Sequence, residues 1–377
     1  MKHELIIKHG RVIDPASGLD GRFDVAIDSG RITKVESPGE IGIDAEKVLD
    51  ATGCIVAPGF IDLHVHVYEN DTYLGIDADQ VGVRQGVTTV VDAGSSGSAT
   101  FPHFLHHHIS RKETEVLAWL NISEDGLCNG NTELADMSKL RPEETGRMIE
   151  DSPTIRGIKV RMSRSVVGGN GIQPLVIAKQ VARERKVPVM VHIGNTPPDL
   201  ADILNLLEAG DVVTHAFHGK PGGILDSQGQ LIPGAGAALA RGVLFDVGHG
   251  TASFSFQTMM RAKELGLKPH SISTDIYKTN YHGPVYSLTL TMSKLIQVGF
   301  SLTDVIEWVT LAPARILRLE DELGSLKPGT VADISIVRLV ERPIDLMDSE
   351  GFTVRGERVL QPVYTIKNGR VFDVADK

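Results

Sequence analysis

Along the 377 residues the spacing of apolar and polar positions changes character twice. From Glu4 to about Ala57, short apolar groups with period-two spacing, Leu5-Ile6-Ile7, Val12-Ile13, Val25-Ala26-Ile27 and Ile32 with Val35, alternate with turn-forming Gly, Pro and Asp. Such spacing predicts short antiparallel strands, because alternate side chains of a strand leave opposite faces. The end of the chain has the same texture: residues 332–337 and 363–372 read as strands, with Asn368-Gly369 at a hairpin turn. Neither stretch can enclose a core alone. Together they predict one small β-sandwich built from both termini, residues 1–57 with 325–377.

Between them, over residues 58–324, apolar runs alternate with helical spacing, the pattern of parallel βα units. Strands are predicted at 60–66, 88–92, 116–121, 157–162, 187–193, 212–215, 243–247 and 271–275, and helices at 78–85, 143–149, 174–184, 199–209, 256–265, 286–298 and 301–309. Eight such strands predict an α/β fold of the (β/α)8, TIM-like barrel type. Residues 123–141 lack periodicity and read as a long loop over one barrel mouth.

A barrel of this type presents its chemistry at the C-terminal ends of its strands. Those ends carry His64 and His66, then Lys159, His192, His215 and Asp275. The period-two spacing sends both imidazoles of His64-Val65-His66 from one face. Taken singly, each has an ordinary reading as a packed histidine, a snorkelling lysine or a helix cap. Their joint placement at strand ends points to a centre that holds divalent metal.

Composition narrows the partners. Lys plus Arg number 38 against 48 Asp plus Glu, a net charge of -10, and no basic run suggests a nucleic-acid partner. No segment is apolar enough to span a bilayer and no secretory leader is evident, so the expectation is a soluble cytoplasmic protein. Two distant cysteines, Cys54 and Cys128, exclude a Cys-rich metal site, leaving histidine and oxygen ligands.

The stretch from Pro58 to His66, the later histidines, the strand-eight aspartate and Leu326-Lys327-Pro328-Gly329-Thr330-Val331-Ala332-Asp333-Ile334 resemble the amidohydrolase superfamily across nearly the whole chain. Within it, the sequence is most similar to the dihydroorotase and D-aminoacylase-like branch and its amidohydrolase/deacetylase group. The resemblance implies two divalent ions: His64, His66 and Asp275 on the more buried one, His192 and His215 on the more exposed one, and Lys159 bridging both as an N6-carboxylated side chain. An ammonium cannot ligate a metal, whereas the carbamate of a neutral lysine is an anionic oxygen ligand. Zinc suits the donor set. Asp275 would shuttle the proton during hydrolysis of an amide or ester bond in a small carboxylate-bearing substrate. A cyclic-amide hydrolase of the dihydroorotase or hydantoinase type, an adenine deaminase and a non-catalytic assembly relative remain alternatives. A homo-oligomer is expected.

Five further residues are candidates for touching substrate. His218 and His249 lie just beyond strand ends six and seven, and Arg161 and Arg164 follow the bridging lysine, where a forked guanidinium could take a carboxylate. Tyr68 could polarise a carbonyl or wall the pocket. His106-His107-His108 reads as a solvated helical face, and Gly168-Gly169-Asn170-Gly171 as a flexible loop without the lysine of a phosphate cradle.

Overall fold

A computed structural model describes residues 2–374. Its centre is a seven-stranded parallel sheet in which each strand is bonded to the next in sequence: Phe60–Val65, Val87–Gly97, Glu115–Asn121, Ile155–Met162, Val189–Ile193, Val212–Thr214 and Leu244–Phe245. Helices cover the sheet, so its strands are nearly continuous apolar runs; every residue of Phe60–Val65 and of Val87–Gly97 is buried.

The expected eighth strand is not one. Residues 271–276 run between the two edges of the sheet through single parallel bridges, Asp246 with Ser271 on one side and Val65 with Ile276 on the other. Asp275 has φ +49°, which turns the chain out of extended geometry and ends any ladder there. The sixth strand likewise stops at Thr214 because His215 has φ +65°. The seventh shrinks from the expected 243–247 to Leu244–Phe245.

Expected helix 78–85 is broken at Gly82 into Ala78–Val81 and a 3-10 turn, Val83–Gln85. Helices Pro233–Ala240 and Leu311–Ile316 were not expected from the pattern; the first is a Gly/Ala run with no strong polar face to mark its period. Helix Leu288–Val298 is capped by Ser287, whose Oγ accepts from Leu290 N at 3.1 Å, and closed by Gly299 at φ +97°.

Both chain ends share a six-stranded sheet, ordered Arg370–Asp373, Thr353–Lys367, Ile334–Met347, Ile55–Pro58, Arg11–Asp14 and Leu19–Arg22. A four-stranded sheet is ordered Arg31–Glu36, Asp24–Asp28, His3–Lys8 and Ala45–Asp50. The expected antiparallel pairing needs correction in two places, since His3–Lys8 runs parallel to Ala45–Asp50, and Arg11–Asp14 parallel to Ile55–Pro58. Leu5, Ile7, Val25 and Ile27 from the N-terminal strands share one buried apolar cluster with Ile334, Ile336 and Ile366 from the C-terminal ones. The hairpin Ile334–Met347/Thr353–Lys367 extends past this sheet, and its tip docks on the segment after the seventh parallel strand, where Ser349 N donates to Phe254 O at 3.0 Å. No described helix is long and apolar enough to cross a membrane.

Candidate metal centre

His64 lies on the first parallel strand and His66 one residue beyond its end, and their side chains meet Asp275 from the eighth segment. Their Nε2 atoms lie 3.3 and 3.2 Å from Asp275 Oδ1, and the three donor atoms are all within 4.8 Å of one another. The backbone fixes this meeting, because Asp275 N donates to His64 O at 2.7 Å and His66 N to Ile276 O at 3.0 Å. His215 adds its Nε2 at 3.9 Å from Asp275 Oδ2, and its ring centroid is 5.0 Å from that of His64.

Each of these imidazoles is held from behind. His64 Nδ1 contacts Thr214 Oγ1 at 2.9 Å, and that hydroxyl donates to Asp246 Oδ2 at 2.7 Å. The hydroxyl therefore receives the Nδ1 proton and leaves a lone pair on Nε2, facing Asp275. His66 Nδ1 contacts Ser95 Oγ at 2.9 Å, and His215 Nδ1 donates to Gly248 O at 2.6 Å. Gly248 must be glycine here: at φ +49° a Cβ would stand 2.2 Å from Thr214 Oγ1. Burial, the largest influence on each, pushes His64 well below the ordinary histidine range and His215 down to about 3. Both imidazoles are neutral at neutral pH.

Lys159 is almost wholly enclosed, with its Nζ 3.2 Å from His64 Nε2 and donating to Met190 Sδ at 3.4 Å. Neither partner is a carboxylate. Burial first, opposed by the charges of Asp275 and other carboxylates, brings the amine down to about 7. A substantial neutral fraction then exists at neutral pH, the form that reacts with carbon dioxide. Gly94 lets this lysine lie flat, since a Cβ there would stand 2.7 Å from Lys159 Cβ and Cγ.

Asp275 feels opposite influences: burial raises its pKa, but the bond to His66 and the neighbouring histidine and lysine charges bring it below the ordinary carboxylate range. The imidazoles of His64, His66 and His215, the ionised carboxylate of Asp275 and a buried amine with no carboxylate within 4.0 Å among the described residues are a donor set that fits divalent metal.

Not every expected residue joins this group. His192 approaches it, with its ring 4.5 Å from that of His215, but its Nε2 meets Ser163 Oγ at 3.1 Å and only Nδ1 is left to ligate. Tyr68 turns away, its hydroxyl 2.8 Å from His103 Nδ1 and 3.3 Å from Thr100 O. His249 is buried with Nδ1 donating to Gly250 O at 2.9 Å and Nε2 at 2.7 Å from Lys294 Nζ, so both ring nitrogens are engaged within the protein. Arg161 is paired with buried Glu133 at 3.1 Å, and Arg164 is exposed. His218 is buried on the loop after His215, with its backbone N donating to His215 O at 3.3 Å. Of the triplet His106–His108, the first two are exposed, as expected of a solvated face, and His108 Nε2 lies 2.9 Å from Asp71 Oδ2.

Sequence reading missed three buried carboxylates that hold the segments around these residues in place. Asp62 accepts from Thr274 N at 3.0 Å and from its hydroxyl at 2.5 Å, tying the first strand to the segment that carries Asp275. Burial pushes it up to about 7. Asp92 accepts from Val67 N and Ser95 N, and Asp246 from the hydroxyls of Thr214, Ser271 and Ser273. The signal was available for Asp62, which shares the strand face of His64 and His66 by the same period of two.

A model described as the amidohydrolase family matches residues 55–372. A protein named deacetylase from Enterococcus faecalis is 40% identical over 377 residues, spanning 99% of this chain and 100% of the relative. Among solved structures, one described as an adenine deaminase superposes with a TM-score of 0.93 at 39% identity, covering 99% of this chain and 100% of its own. Another, described as a dihydroorotase, gives a TM-score of 0.89 at 33% identity, covering 98% and 97%. With a family match over most of its length and near-complete overlap with these relatives, the chain belongs to the amidohydrolase family and is a hydrolase.

Proposed function

We propose that this hydrolase is metal-dependent and binuclear, and that it cleaves an acyl amide or ester bond of a small carboxylate-bearing molecule. The observation that carries the reading is the convergence of His64 and His66 Nε2 on Asp275 Oδ1 at 3.3 and 3.2 Å, with the amine of Lys159 3.2 Å from His64. In this reading His64, His66 and Asp275 hold one divalent ion, His192 and His215 the other, and carboxylated Lys159 bridges them. Zinc fits the imidazole and oxygen donors. Bound there, the ions would polarise the scissile carbonyl and acidify an attacking water.

The chain's own residues do the rest. Thr214 fixes the tautomer of His64, Ser95 holds the ring of His66 from behind, and Asp246 anchors Thr214. Asp275 takes the proton of the attacking water and returns it to the departing nitrogen or oxygen, a role its ionised state permits. Deacetylase is the name of a relative 40% identical to this chain, which supports acyl cleavage. The likeness to a dihydroorotase structure at 33% identity favours cyclic-amide hydrolysis as the second reading.

The fold is read in the same spirit as a (β/α)8 barrel over residues 58–324 with a sandwich from 1–57 and 325–377. Single bridges from residues 271–276 to both sheet edges support closure, and the shared apolar cluster of the terminal strands supports the sandwich. Elemental analysis tests the metal reading, with about two equivalents expected; a folded, active protein without transition metal would sink it. Hydrolysis of N-acetyl amino acids and acetyl esters, compared with dihydroorotate, hydantoins and adenine, separates the substrate readings.

A further inference from the structure

The loop after the sixth parallel strand carries His215 into the metal centre and, within five residues, lines a cavity of 660 Å³. That volume lies in the range of small-molecule sites, roughly 300–1,000 Å³. The link between the two is a tight turn, in which His218 N donates to His215 O at 3.3 Å. Leu200, Leu225 and Ile232 give the cavity aliphatic walls.

Two donors on this loop lack acceptors. His218 is 2% exposed, and its Nε2 has no hydrogen-bond partner among the described residues. Its Nδ1 accepts from Lys220 N at 3.1 Å and so carries the lone pair, which puts the proton on Nε2. Burial lowers the imidazole to about 4, keeping it neutral with this single N–H. A buried donor left without an acceptor is destabilising, and a ligand acceptor would relieve that. Lys220 also lines the cavity, half-buried, and no carboxylate lies within 4.0 Å of its amine among the described residues.

The other charged groups of the cavity are already occupied. Arg261 donates to Gly229 O at 2.8 Å and Glu264 at 2.9 Å. Asp199 accepts from Thr196 Oγ1 at 2.7 Å, and Asp226 from Gln228 N and Gln230 N, both at 2.9 Å. Lys220 remains within the field of the metal centre: burial lowers its ammonium most, and the charges of Asp275 and Glu350 oppose this. Arg161, the sequence candidate for the same task, is spent on Glu133.

We propose that His218 and Lys220 seat the substrate carboxylate, and that the substrate is an acyl derivative of a small acid whose aliphatic arm lies against Leu200, Leu225 and Ile232. This rests on the hydrolase reading for the acyl group, but the anion seat can be tested without turnover. The metal-loaded protein, labelled with 15N-histidine, is titrated with N-methanesulfonyl-leucine, which has no hydrolysable acyl group, and with its neutral carboxamide. H218Q identifies the His218 Nε2 resonance. The carboxylate is expected to move that resonance and to bind about tenfold or more tightly than the carboxamide, as a charge-assisted contact implies. K220M should weaken carboxylate binding by a similar factor and raise KM, with a smaller change in kcat, for the best N-acyl amino acid. A His218 resonance unmoved at saturating carboxylate, or K220M affinity and KM both within twofold of wild type, would overturn the assignment. A protein that binds the carboxylate at His218 yet hydrolyses no acyl compound keeps the seat and removes the hydrolysis reading; turnover with a silent His218 does the reverse.

Discussion

Lys294 places its amine 2.7 Å from Nε2 of His249 and 2.8 Å from the carbonyl of Pro284, inside the protein and in no ion pair among the described residues. The two acceptors match the two N–H groups of a neutral amine. Burial, opposed by the charge of Asp348, brings this lysine down to about 7. In the unfolded chain it titrates near its ordinary value, so between about pH 7 and 10 the unfolded state binds the extra proton. Stability from this group is therefore lacking below pH 7 and gained as pH rises through that window. Replacing Lys294 with Met should flatten the rise of Tm between pH 7 and 9 measured by calorimetry; an unchanged slope would show that the amine is charged in the folded protein.

Thr214 stands between His64 and Asp246, and Thr214→Val keeps its shape but removes both bonds. The expected result is a metal affinity lowered about 10–100-fold, the usual loss when the group behind a histidine ligand goes. Chelator competition measures it. Equal affinity in the variant would mean that His64 needs no support from this hydroxyl.

Lys159→Ala should lose metal, because the anionic bridge goes with the side chain, and added acetate or propionate should restore part of the activity. Lys159→Arg should not help, since guanidinium forms no carbamate. Full metal content and turnover in the alanine variant would rule out the bridging role.

Asp275→Asn retains an oxygen for the metal but cannot carry a proton. Turnover is expected to fall about 10²–10⁴-fold while much of the metal stays. If kcat and metal content both remain near wild type, the proton is carried by another group.

Arg161→Met should act on stability more than on substrate binding. Glu133, 3% exposed at its side chain, would be left as a buried unpaired carboxylate, a change that typically costs about 3–5 kcal/mol. The check is denaturant unfolding beside KM; a stable variant with a KM raised tenfold would return Arg161 to the substrate.

Periodicity alone was enough to locate the parallel strands and to set His64 and His66 on one face, because a strand's side chains alternate whatever surrounds it. The expected strand ends also named Lys159, His192, His215 and Asp275 as candidates. Which nitrogen His64 offers was decided only in three dimensions, by the hydroxyl of Thr214, and the hydroxyl that holds His66, Ser95, likewise comes from another strand. The same holds for the fates of Tyr68, His249 and Arg161, whose partners His103, Lys294 and Glu133 lie 35, 45 and 28 residues away. The eighth strand failed for a local reason that sequence does not display, the positive φ of Asp275, which an aspartate adopts when tertiary bonds to His64 hold it. A sequence states which groups are available and which face they leave from; burial and long-range hydrogen bonds decide which proton and which partner each one keeps.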